Sequence, residues 1–188
     1  MTENEYKALD YILSRSKVYL EFGAGNTTKR AVLFENIKRI DSVECNLDFI
    51  NKLVLSEERM REQVEKKRLF IHRIDIGELK GWGYPEDESC KNAWVNYSEI
   101  VHKLGQKWDT VLVDGRFRVA CVLNVLLLGN ENCKILIHDF WNRNHYHVVL
   151  NYLDVIGSVD SLGIFKKRRY CSDVEIKNLI NEYKFTPD

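Results

Sequence analysis

Residues 17–28, Lys-Val-Tyr-Leu-Glu-Phe-Gly-Ala-Gly-Asn-Thr-Thr, decide the fold. The apolar run with a β-branched start reads as a buried strand over 17–22. Gly23-Ala24-Gly25 then reads as a tight turn opening a helix that begins at Thr27 or Thr28 and runs to about Asn36. Glycine at 23 and 25 lets the backbone turn sharply and lets a ligand approach without meeting a Cβ. The helix behind the turn offers free N–H groups to that ligand. A strand end shaped in this way fits a nucleotide-like molecule.

The surrounding pattern supports that reading. Residues 39–44, Arg-Ile-Asp-Ser-Val-Glu, form a second short strand ending in an acid. Glu44 falls about 20 residues beyond the glycines, the spacing at which a strand-end carboxylate reaches ribose hydroxyls. Further strands are expected at 69–76, 108–114 and 133–139, alternating with helices at 3–15, after Asn46, 92–104, 117–128, 145–156 and 172–184. Gly157 and Gly163 punctuate a final antiparallel pair, 158–162 and 164–169. This alternation predicts an α/β fold: a doubly wound Rossmann-like sheet, mostly parallel, with a C-terminal antiparallel strand pair. The chain has 188 residues and no linker or repeat, so one domain over 1–188 is expected.

Composition bounds the function. The 28 basic and 28 acidic residues cancel, which argues against nucleic acid or an anionic membrane as partner. No stretch approaches the ~18–20 apolar residues of a membrane span. The polar N-terminus is no signal peptide. Five scattered cysteines without a Cys-x-x-Cys suggest neither a disulfide framework nor a zinc site, and a cytoplasmic setting fits best. The charged run at 56–68 reads as a solvated helix face with i,i+4 pairs Glu57/Arg61 and Glu62/Lys66. Residues 77–91 form the one long loop, and Trp82, Tyr84, Trp94 and Tyr97 either cover a site as a lid or pin the loop to the core. Lys166–Arg169 reads as a solubilising cluster on an edge strand.

Five acids, Glu21, Glu44, Asp75, Asp114 and Asp139, end predicted strands, where ligands on such sheets bind. Helix capping is the plain alternative for Asp75 and Asp114. His138, His145 and His147 cluster around Asp139, with His138 inside the strand as a satisfied core histidine. Arg116 and Arg118 flank Phe117 and either clamp an acceptor carboxylate or phosphate or carry surface charge.

Glu21-x-Gly23-x-Gly25 followed by Glu44 resembles motif I and the ribose-binding acid of class I S-adenosylmethionine-dependent methyltransferases. Val113-Asp-Gly-Arg-Phe-Arg-Val-Ala120 and His138-Asp-Phe-Trp-Asn-Arg143 look like a small group of uncharacterised bacterial methyltransferase-like proteins. The resemblance implies cofactor contacts from Glu21, Gly23, Ala24, Gly25, Glu44, Asp75, Ile76 and Asp114. Asp75 would meet the adenine amino group, Ile76 its ring, and Glu21 the amino group of the methionine part. It implies methyl transfer to a small molecule or sugar, at oxygen, with His145 as base beside Asp139 and Asp114. No metal ligand is assigned. Metal-dependent O-methyltransferases carry an asparagine directly after the second acid, where Phe140 stands here, so Mg²⁺ would require Asn142 to substitute. Two alternatives stand beside this reading: a cofactor-binding protein of the same fold without transfer activity, and an NAD-dependent oxidoreductase. Thr28 at the third glycine position disfavours the latter.

Overall fold

The computed structural model describes residues 1–188, with the side chain of Leu55 left aside. Nine strands form: β1 Val18–Phe22, β2 Arg39–Glu44, β3 Leu69–Arg73, β4 Leu79–Lys80, β5 Tyr84–Pro85, β6 Thr110–Val113, β7 Lys134–Ile137, β8 Leu153–Val159 and β9 Leu162–Lys167. The helices are α1 Glu3–Leu13, α2 Asn26–Ala31, α3 Leu47–Ser56, α4 Glu58–Glu65, α5 Lys91–Leu104, α6 Arg118–Leu127 and α7 Asp173–Tyr183. Seven strands make one sheet in the order β3-β2-β1-β6-β7-β9-β8, with β9 antiparallel to both neighbours and the pairs from β3 to β7 parallel. The order reverses between β1 and β6, which leaves a crevice at their carboxyl ends.

Both faces are covered, so strands carry apolar residues on alternate sides. On β6, Val111 and Val113 enter the core under α5, α6 and α7, while Leu112 enters the one under α1, α2, α3 and α4. Along β2, Asp41 breaks the apolar rule inside the sheet. It is fully buried and accepts from Arg39 Nε (2.8 Å), Trp108 Nε1 (2.8 Å) and His72 Nε2 (2.8 Å). Burial alone would raise its pKa, but these donors outweigh burial and hold it below the usual carboxylate range.

Several expectations are corrected. The helix expected at 145–156 is a 3₁₀ segment, Asn144–Asn151, and the last hairpin starts earlier, at Leu153. Val155 and Ile156 are β-branched and lie on β8, where Val155 pairs with Phe165 of β9 and Ile156 falls at the register shift before Gly157. β9 lies between β7 and β8, so Lys166 and Lys167 sit on an interior strand; Lys167 Nζ donates to the Leu126 carbonyl (2.9 Å). The helix after Gly25 stops at Ala31. On the charged helix, Glu62 has the expected i,i+4 partner Lys66 (3.1 Å), and Glu57 also reaches Lys29 (2.6 Å). The 77–91 loop contains the small β4–β5 hairpin, whose tip residue Trp82 has φ 65° and is 93% exposed. Trp94 and Tyr97 belong to the core instead. Among the described residues, no helix is long and apolar enough to cross a membrane.

Candidate active site

A cavity of about 920 Å³ opens at the carboxyl ends of β1, β2, β6 and β7. That volume lies within the range of small-molecule and cofactor sites. Its floor at one end is the turn after β1. Gly23 has φ 95°, and its N–H donates to the Val43 carbonyl (2.8 Å). A Cβ on Gly23 would lie 2.9 Å from the Gly115 backbone, so glycine is required for the β1 and β6 turns to touch. Gly25 is extended, and a Cβ there would meet only the Phe49 ring (3.7 Å). The space beside Gly25 therefore belongs to the cavity.

Glu44 lines the same end, 9% exposed. Its Oε1 accepts from the Cys45 N–H (2.8 Å) and the Asn46 N–H (2.9 Å), and its Oε2 from the Ala24 N–H (3.2 Å). The carboxylate thus locks the β1 turn to the β2 turn. With a single backbone donor on Oε2, a lone pair remains for a hydroxyl in the cavity. Cys45, Asn46 and Phe49 on one side, and the Gly81–Tyr84 hairpin tip on the other, wall this end.

Glu21 does not line the cavity. It sits fully buried beneath the turn and accepts from Thr27 Oγ1 (2.7 Å), Ser42 Oγ (2.8 Å), Tyr19 OH (3.2 Å) and the Thr28 hydroxyl. Burial raises its pKa to about 7 against the pull of these hydroxyls. A carboxyl that holds its proton more tightly when folded favours the folded state at low pH. That contribution is complete below the unfolded value, near 4.5, and is lost as pH rises through about 7. Glu21→Gln is therefore expected to flatten the fall in stability between pH 5 and 8, read as urea midpoints at each pH beside the parent protein. Parallel pH profiles would contradict it.

Asp75 and Ile76 also fall outside the cavity. Asp75 is exposed, paired with Arg73 (3.2 Å) and capping Gly77 N–H (3.0 Å); Ile76 is buried, and its carbonyl accepts from Trp94 Nε1 (3.0 Å). His145 is half-exposed, pairs with Asp188 (3.4 Å) and does not line the cavity. His147 Nε2 bonds the Phe140 carbonyl (3.0 Å).

The other end of the cavity gathers Asp114, Asp139, His138, Arg118, Arg143 and Arg116. Asp114 Oδ1 bonds His138 Nδ1 (2.8 Å). His138 Nε2 faces Glu5 Oε2 (3.3 Å) and Asp139 Oδ1 (3.7 Å). Burial pushes the His138 pKa down, but Asp114 and then Asp139 outweigh it, and the net shift is upward from 6.5. Arg118 lies between the two aspartates, 3.4 Å from Asp114 and 3.5 Å from Asp139, and its Nη1 donates to the His138 carbonyl (2.6 Å). Arg143 adds a second cation to Asp139 (3.2 Å). The positive charge between these acids is thus a guanidinium. Among the described residues, no group of three or more His, Cys, Asp or Glu side chains is placed to hold a metal ion.

The strand-end argument brings together Glu44, Asp114 and Asp139 but not Glu21 or Asp75. It missed Glu5. That residue is fully buried, accepts from Ser161 N (2.9 Å) and Oγ (2.7 Å), and closes a capping box with Thr2. The signal was present as Thr2-x-x-Glu5 at the start of α1.

No protein-family model matches the chain, and no curated protein matches it either. Solved structures do resemble it. A methyltransferase-like protein from Silicibacter pomeroyi DSS-3 is 23% identical, with a TM-score of 0.82 over 100% of this chain and 96% of its own. A Streptococcus pneumoniae protein assigned as a tRNA (m1A22) methyltransferase follows at 10% identity and TM-score 0.55, covering 94% of this chain and 76% of its own. Spermidine synthase from Thermotoga maritima reaches 0.53 at 10% identity, over 92% of this chain and 61% of its own. These names span more than one acceptor and more than one reaction, so the likeness speaks to architecture. The chain has the Rossmann-like fold of the methyltransferase-like protein.

Proposed function

We propose that this protein, one domain over residues 1–188, is an S-adenosylmethionine-dependent methyltransferase that methylates an oxygen of a small acceptor, such as a sugar. The observation that carries the reading is one continuous cavity joining the Gly23–Gly25 turn and Glu44 to the Asp114–His138 pair. When bound, the cofactor supplies an electrophilic methyl group on a cationic sulfur. Gly25 leaves the room its methionine part needs, and Glu44 Oε2 accepts from a ribose hydroxyl. The zero net charge of the chain supports a small acceptor over nucleic acid.

The Asp114–His138 pair supplies the proton acceptor. With the imidazole neutral, the pair holds one proton fewer than it can carry. Asp114 Oδ2, the oxygen not bonded to His138, takes the proton of the acceptor hydroxyl and becomes a neutral carboxyl, which the hydrogen bond between Oδ1 and the neutral imidazole holds in place. Arg118 and Arg143 hold Asp139 and keep both strand ends in place. Asp114, with His138 bonded behind it, thus takes the role that sequence reasoning gave to His145.

Glu44→Gln tests the cofactor end. It keeps the side-chain volume and removes the charge. Affinity for S-adenosylhomocysteine, measured by calorimetry, is expected to fall by roughly 1.5–3 kcal/mol, the worth of a charged hydrogen bond. An unchanged dissociation constant would detach Glu44 from the cofactor.

A further inference from the structure

Arg116 is a buried cation with no acid in ion-pair contact. Its side chain is 7% exposed, it lines the cavity, and it pairs with no carboxylate among the described residues. It donates through Nη1 to the Pro187 carbonyl at 3.4 Å and hydrogen-bonds the Tyr84 hydroxyl, and its guanidinium lies 4.1 Å over the Tyr84 ring. The nearby Asp188 carboxylate pairs with His145 instead. Arg118 offers the contrast: equally buried, it is satisfied by two aspartates and by backbone carbonyls. A guanidinium taken out of water is costly unless it is paired, and Arg116 has no carboxylate in ion-pair contact, only the more distant charge of Asp188.

Arg143 stands beside it in the cavity wall. Burial raises the Tyr84 phenol pKa, but Arg116 and then Arg143 outweigh burial and hold it below the usual value. Two guanidinium groups thus converge on one hydroxyl, and Arg143 ties that corner to Asp139 at the reacting end. Their planar donor forks match a carboxylate or a phosphate.

We infer that the acceptor carries an anionic group, a carboxylate or a phosphate, which Arg116 binds with Arg143 beside it and which sets the acceptor hydroxyl against Asp114. The inference rests on the methyltransferase reading for the word acceptor, but the anion site itself does not.

The experiment titrates S-adenosylhomocysteine-loaded protein with inorganic phosphate and, separately, with malonate, at constant ionic strength, by calorimetry. Wild type is expected to bind one of the two saturably, and the preferred probe tells phosphate from carboxylate. Arg116→Met and Arg143→Gln are each expected to weaken that binding roughly 10-fold or more, with affinity for S-adenosylhomocysteine unchanged. Arg143→Gln carries the test should Arg116→Met fail to fold. Saturable binding of neither anion, or equal binding by wild type and both variants, would overturn the inference. So would an Arg116→Met protein that loses S-adenosylhomocysteine but keeps 5′-methylthioadenosine, since that ligand lacks the amino-acid carboxylate and Arg116 would then serve the cofactor. If S-adenosylhomocysteine does not bind wild type, the methyltransferase reading falls. The same titrations on unliganded protein then decide the anion site alone.

Discussion

His138→Gln is expected to lower the rate of methyl transfer by roughly 10²–10⁴-fold, the usual contribution of a positioned proton acceptor, here the Asp114–His138 pair. Cofactor affinity should not change, because His138 lies at the far end of the cavity from Glu44 and the glycine turn. Its raised pKa gives the effect a pH signature. The imidazole must be neutral for the Asp114–His138 pair to take a proton, so turnover should climb as pH rises through a value above 6.5. That ascending limb should vanish in His138→Gln. Release of S-adenosylhomocysteine in the presence of acceptor, followed against pH, measures both. Full activity in the variant would remove His138 from the chemistry. Joint loss of activity and cofactor binding would make it a structural residue. His145→Ala is the control, and its half-exposed ring outside the cavity predicts near-parental turnover.

Asp41→Ala carries the second large effect, on stability. The substitution strips one anion from Arg39, His72 and Trp108 Nε1 in the middle of the sheet. Removing one partner from a buried charged network costs roughly 3–5 kcal/mol, mostly because the partners remain behind without a counter-charge. Denaturant unfolding without ligand should show that loss. A loss below about 1 kcal/mol, the worth of an ordinary surface pair, would mean that Arg39 and His72 find water instead. Asp41 lies on β2 far from the glycine turn, so whatever folded fraction remains should bind S-adenosylhomocysteine normally.

The fold was readable because its signals are local. Val18–Phe22, Arg39–Glu44 and Thr110–Val113 are short apolar runs bounded by turn residues, and each is a parallel strand. The Asn46 and Ser172 caps precede the helices they should start. The reading failed where pairing partners decide the outcome. Val155 and Ile156 fall inside the expected helix, yet they lie on β8, whose pairing with β9 has no local signature. The site divides along the same line. Glycine geometry and strand-end acids placed Gly23, Gly25, Glu44, Asp114 and Asp139 on the cavity. Which way a strand-end side chain turns is a tertiary matter. Glu21 turns inward to four hydroxyls, Asp75 turns out to solvent, and His138 points into the cavity although strand position marked it as core. Tyr84 and Arg143 meet only because the β4–β5 hairpin folds toward the segment after β7, a contact with no local signature.

The most direct test of the account is a calorimetric titration of wild type and Gly25→Val with S-adenosylhomocysteine and with NAD. A Cβ at Gly25 meets only the Phe49 ring, so the valine side chain should occupy cofactor space without unfolding the turn. The account predicts that wild type binds S-adenosylhomocysteine and not NAD, and that Gly25→Val keeps its melting temperature and loses that binding. Binding of NAD in place of S-adenosylhomocysteine, or equal binding of S-adenosylhomocysteine by the valine variant, would contradict it.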